Sequence, residues 1–225
     1  MKKLTPFIIS LAMVFIISSL IGIANANLTD LGNGLIYCDT LDITLLQDAN
    51  YSATSGYWDL LNIPIEYNIY GEQVNYPGDM NWDQSMQWAN QLVFAGYDDW
   101  RLPDGLCAGN YPETGYAQSP FNELGHIFYN ELGNPTGGPL QNTGPFINLM
   151  PEHYWTGLLG IPFNNVALSF YFKNSIMNYT GRESDIRAWA VRDGYALNAV
   201  PEPSTIILLL SGVVGLAGLR KRFKK

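Results

Sequence analysis

Residues 81–103 read NWDQSMQWANQLVFAGYDDWRLP, and the fold is decided here. Asn81 is a helix N-cap, with Gln84 three residues on as its capping-box partner. Met86, Ala89, Leu92 and Val93 recur at helical spacing and predict one apolar face. Gly96 is the expected stop, and Pro103 excludes helix beyond it. Between them, Tyr97, Trp100 and Leu102 stand among Asp98, Asp99 and Arg101. Trp100-Arg101-Leu102-Pro103 therefore predicts architecture, with two core side chains flanking an arginine held by carboxylates.

Working outward, a second helix is expected from Ser119, its cap, and Pro120, its first residue. Phe121, Leu124, Phe128 and Leu132 would form its inner face, and Gly133 would end it. Upstream, Gly32-Asn33-Gly34 is a hairpin turn, and Leu35-Ile36-Tyr37 and Ile43–Leu46 read as strands. Downstream, 146–149, 154–156, 166–172 and 187–191 read as strands. The last two are expected to pair antiparallel through a connector over 174–182.

The pattern of a capped helix, Ala95-Gly96-Tyr97-Asp98-Asp99-Trp100-Arg101-Leu102-Pro103 and a second helix resembles the Lcl C-terminal domain (DUF1566) family. Ile186 to Gly194, with Arg187 and Arg192, resembles that family's closing strand, and Tyr154-Trp155-Thr156-Gly157 another of its strands. Tyr37 stands where a tryptophan is usual. The resemblance spans 28–194. It implies an α+β, C-type-lectin-like single domain with two helices and a small, mainly antiparallel twisted sheet. A related Arg-Leu-Pro block occurs in formylglycine-generating-enzyme-like domains. Their catalytic cysteine pair sits late in the domain, whereas Cys107 here directly follows the motif.

Both chain ends carry addresses. Lys2 and Lys3, an apolar run from Phe7 to Ile23 and Ala24-Asn25-Ala26 form a secretory leader cleaved before Asn27. At the other end, Pro201-Glu202-Pro203 precedes an apolar run, Thr205 to Leu219, and five basic residues. Physically this is a stop-transfer tail with its basic end cytoplasmic. It resembles a PEP-CTERM sorting signal, which implies processing by an exosortase. The expected segments are a signal peptide over 1–26, a domain over 27–196, a linker over 197–203 and a transmembrane sorting tail over 204–225. Signal peptidase, exosortase and the inner membrane are the expected partners during export, and the cell envelope or exterior is the destination.

Seven of the 12 basic residues and one of the 20 acidic ones lie in these ends, so the domain keeps five against 19, a formal charge of −14. Nucleic acid is excluded as a partner, since phosphate binding needs clustered Lys and Arg. Anionic glycans are disfavoured likewise.

The chemistry-bearing residues are few. Cys38 and Cys107 are the two cysteines, and an oxidising compartment predicts their disulfide. His126 and His153 are the two histidines. No Cys/His motif predicts a metal, no nucleophile elbow predicts a hydrolase, and no catalytic residue is assigned. Calcium is carried only as a candidate cofactor, on loop oxygens of Asp98, Asp99, Asp104, Glu183 and Asp185. The stretch 51–79 is rich in aromatics. Trp58, Tyr67 and Tyr70 are either loop anchors or platforms for sugar rings. The expectation is a non-enzymatic surface or matrix protein that binds extracellular polysaccharide or has a structural role in a biofilm. The alternatives are a formylglycine-generating-type or glycan-active enzyme, and a structural matrix protein without a ligand.

Overall fold

The computed structural model describes residues 27–107, 111–112, 114–116, 122–160 and 164–196. The expected leader, the Pro-Glu-Pro linker and the sorting tail lie outside the described residues. Among the described residues no helix is long and apolar enough to cross a membrane.

The architecture is mixed α+β, dominated by two sheets. Strands β1 (Leu28–Gly32), β2 (Leu35–Cys38) and β3 (Ile43–Leu46) form an antiparallel meander. Its first turn carries Gly32, Asn33 and Gly34, all at positive φ, as the Gly-Asn-Gly sequence requires. The chain then makes two helical turns, α1 (Tyr51–Thr54) and α2 (Tyr57–Leu60), and a hairpin whose arms meet at Tyr67 and Gln73. Strand β4 (Asp79–Met80) leads into helix α3 (Trp82–Gln91). A short hairpin, β5 (Leu106–Cys107) with β6 (Tyr111–Pro112), precedes helix α4 (Glu123–His126). The second half supplies β7 (His153–Leu159), β8 (Val166–Tyr171), β9 (Ile176–Gly181), β10 (Ile186–Arg187) and β11 (Val191–Asp193). Strand order is β1-β2-β3-β11 in one sheet and β4-β10-β7-β8-β9 in the other. Among the strand pairs of the described residues only β10–β7 is parallel.

Helix α3 has the expected capping box, Asn81 with Gln84. Its inner face is the expected one in part: Met86 and Leu92 pack half-buried against the core. Trp82, Ser85, Trp88 and Ala89 are buried, whereas Val93 is exposed. The helix also stops at Gln91, because Leu92 turns to extended backbone and Phe94 closes a tight turn onto Tyr97. Ala95 and Gly96, both at positive φ, form that turn.

The second helix begins at Asn122, whose side chain caps Gly125; the expected cap at Ser119 lies outside the described residues. After one α-turn it widens into a π-turn over Ile127–Glu131, closed by Leu132 N–H donating to Ile127 O at 2.9 Å. Leu124, Phe128 and Leu132 are buried as their spacing predicts.

Two strand expectations are corrected. The stretch 146–149 forms only a bridge, Ile147 with Asp48. The connector 174–182 contains β9, and it is β9 that pairs with β8. Arg187 instead pairs with Asp79 on one side and Tyr154 on the other. Ala188, Trp189 and Ala190 break the expected closing strand into two, each half serving a different sheet.

The core between the sheets is aromatic. Trp88, Trp155, Trp189, Tyr154, Phe128, Phe170 and Phe172 are fully buried. Burying an indole requires an acceptor for its N–H. Trp58, Trp82, Trp155 and Trp189 donate to the carbonyls of Asp79, Thr156, Met80 and Leu46 at 2.7–2.9 Å. These rings therefore bridge sheets and helices by hydrogen bonds as well as by contact area.

Candidate functional site

The arginines of the family-like motif come first. Arg101 forms a fork on Glu123, Nη1 to Oε2 at 2.8 Å and Nη2 to Oε1 at 2.7 Å, and also reaches Asp193. Burial works against its charge, but the Glu123 and Asp193 carboxylates more than offset this and raise its pKa. Arg192 holds Asp99 at 2.8 and 2.9 Å and lies over the Tyr97 ring. Its hydrogen bonds hold the Asp99 carboxyl below the ordinary range. Arg187 faces Asp79 at 3.5 Å, and Arg182 pairs with Asp83. Trp100 and Leu102 are buried on either side of Arg101. All four arginines of the domain thus face carboxylates and offer no basic cradle for an anion. Beside Arg101 a cleft of about 400 Å³ opens between Met86, Pro103, Leu106 and Leu158.

A second cavity, of about 180 Å³, is the chemically richer one. Asp79, Glu152, Asp185 and Arg187 line it, with His153 and Tyr76 at its wall. Burial pushes the Asp79 carboxyl up to about 6, although Arg187 pulls the other way. Its Oδ2 accepts the Tyr76 N–H at 2.8 Å. Asp185 is raised as well, first by burial and then by Glu66. Burial lowers His153, which favours its neutral form; it stacks on Tyr171 at 3.9 Å and its Nδ1 meets Ser169 Oγ at 3.2 Å. A carboxyl poised near neutrality in a cavity marks a candidate binding site. The spacing of these residues in sequence gave no sign of it.

The aromatic hairpin rises at the rim of this cavity, through Val74 and Tyr76. Its tip is held by Asn68, whose side-chain oxygen accepts the N–H groups of Tyr70 and Glu72. Tyr67, Ile69 and Tyr70 are 64%, 91% and 81% exposed. Trp58 is 8% exposed, with its indole N–H tied to Asp79 O. The structure therefore separates the expected trio: Tyr67 and Tyr70 face solvent, and Trp58 is an anchor.

The cysteine expectation changes too. Cys38 is a free, buried thiol, so the disulfide expected with Cys107 is not made; the side chain of Cys107 lies outside the described residues. Burial pushes the Cys38 thiol up to about 12. Cys38 instead lies with His126 and Glu131, their ligand atoms all within 4.8 Å of one another. Sequence reasoning found no such cluster, because no local motif links positions 38, 126 and 131. A metal on His126 Nε2 would place the ring proton on Nδ1, which is buried without a hydrogen-bond partner. Among the described residues, the oxygens considered for calcium form no group of three at ligand distance.

No curated protein and no solved structure matches the chain. The model of the PEP-CTERM protein-sorting motif matches residues 199–222. The chain therefore carries the sorting signal of an exported protein handled by an exosortase.

Proposed function

We propose that this is a non-enzymatic protein of the cell envelope or extracellular matrix, delivered by its sorting signal, that binds neutral polysaccharide through the aromatic hairpin. The match over residues 199–222 carries the destination. The exposed rings of Tyr67 and Tyr70 support the ligand class. A sugar ring packs its C–H face on an aromatic ring, while polar neighbours bond its hydroxyls. Asp79, Glu152 and Asp185, at the hairpin's base, supply acceptors for hydroxyls and would repel sulfated or uronic chains. The domain is read as C-type-lectin-like, in keeping with its mixed α+β architecture.

The test is binding of the exported chain to the producer's own polysaccharide and to neutral and anionic glycans, with calcium and with chelator. Saturable binding to neutral glycans, lost in a Tyr67→Ala, Tyr70→Ala double variant, is expected. Equal binding by that variant would remove the hairpin from the function, and no binding at all would leave a structural matrix role.

A further inference from the structure

The Glu131 carboxylate lies under the first residue of the domain. Its Oε2 accepts the backbone N–H of Asn27 at 2.7 Å, and its Oε1 meets His126 Nε2 at 2.9 Å. Glu131 is 7% exposed and His126 3%. The π-turn makes this possible: its extra residue brings Glu131 to the edge of the β1–β2 hairpin.

A buried carboxylate needs a cation or a full set of donors. As imidazolium, His126 would carry a second N–H at Nδ1, and that atom is buried without a partner. A proton on Nε2 fits the contact with Glu131 Oε1. The Cys38 thiol adds no charge. While a leader is attached, Asn27 N is a neutral amide. The amide then brings the carboxylate no positive charge.

Cleavage after Ala26 changes that one atom. We propose that Glu131 is the receptor for the α-ammonium group created at Asn27 when the leader is removed. Hydrolysis of the Ala26–Asn27 peptide bond adds water, leaving the carboxyl on Ala26 and the protonated amine on Asn27. The new cation arises 2.7 Å from Glu131 Oε2 without rearrangement. Strand β1 holds it there: Leu28 pairs with Cys38, and Asp39 N–H donates to Asn27 O at 3.2 Å. Asn27 is itself exposed. Processing thus converts a hydrogen bond from a neutral amide into a partly buried ion pair and favours the fold of the mature chain over that of the precursor. The inference rests on leader removal between residues 26 and 27, the first step of the export route proposed above.

The test uses the full-length chain, exported through its own leader. Its N-terminus is first read by mass spectrometry. A start other than Asn27 would refute the cleavage position, and with it the receptor. Given that start, four forms are unfolded in urea: the wild type, Glu131→Gln, a form with Ser-Gly inserted between Ala26 and Asn27, and the combination. The insertion moves the amine away and restores an amide at Asn27. The wild type is expected to exceed the insertion form by about tenfold in folding constant, the difference between a partly buried ion pair and a bond from a neutral amide to the same carboxylate. In the Glu131→Gln background that difference should vanish. Equal effects of Glu131→Gln in both backgrounds would overturn the proposal. Should Glu131→Gln not fold, acylation of the α-amine in the other two forms decides. At least tenfold slower labelling of wild type supports the receptor, and equal rates overturn it.

Discussion

Replacing Arg101 by lysine keeps the charge and removes the fork. Arg101 joins three distant segments: its own loop, Glu123 at the start of α4 and Asp193 in β11. A lysine ammonium can hold one Glu123 oxygen but not both. Glu123 is 7% exposed, so its second oxygen loses a charge-assisted partner away from water. The Asp104 N–H, at 2.7 Å from Oε2, remains and limits the damage. One such bond is worth roughly 1.5–3 kcal/mol, and the misplaced ammonium adds to the loss, so about 2–4 kcal/mol is expected. For a domain of this size that lowers the thermal midpoint by roughly 5–15 °C. Far-UV circular dichroism at about 0.15 M salt, where exposed pairs are screened, reads it. Asp193→Asn is the control: its side chain is 79% exposed, so the cost should stay below about 1 kcal/mol. The hub reasoning fails if Arg101→Lys melts within about 2 °C of wild type. It also fails if Asp193→Asn costs as much.

Asp79 makes stability depend on pH in the less usual direction. Its folded pKa, about 6, lies above the ordinary carboxyl value, so the folded state holds the proton more tightly. The stability this contributes is present below about pH 4 and lost as pH rises through about 6. It amounts to about 3 kcal/mol. Urea midpoints of wild type against Asp79→Asn between pH 4 and 7 should diverge with that slope, and parallel curves would contradict it. Trp58→Ala should cost about 3–5 kcal/mol, as a buried ring lost with its hydrogen bond. Tyr70→Ala should stay within about 0.5 kcal/mol. Reversal of that order in thermal melts would mean the hairpin packs differently. Gly78 sits at φ +100, where an added Cβ would lie 1.9 Å from Asn50 Oδ1. Gly78→Ala should therefore cost roughly 1–3 kcal/mol or more, measured by urea unfolding.

What the sequence revealed was what local chemistry determines. The Asn81–Gln84 capping box, the Gly-Asn-Gly turn and the burial of Trp100 and Leu102 each depend on neighbours a few residues away. Helix α3 ran shorter than its apolar pattern because the Phe94–Tyr97 turn, not Gly96 alone, sets the exit. Strand β9 was hidden because its burial alternates weakly; Tyr179 is exposed. Trp58 and Tyr70 looked alike as aromatics in a polar loop, and only the carbonyl of Asp79 distinguishes them. The Asp79 cavity and the Cys38–His126–Glu131 cluster were out of reach for a different reason. Each gathers residues from segments far apart, and no local periodicity encodes such meetings. The π-turn that positions Glu131 has no pattern of its own in the sequence.

The sheet order β1-β2-β3-β11 places the first and last described strands in one layer. Strand β11 pairs with β3, and Val191 exchanges both backbone hydrogen bonds with Arg101. Neither the first sheet nor the Arg101 hub can close until Asp193 has emerged. Only residues 194–198 then separate it from the sorting motif. During translocation the last strand and the sorting motif therefore emerge almost together.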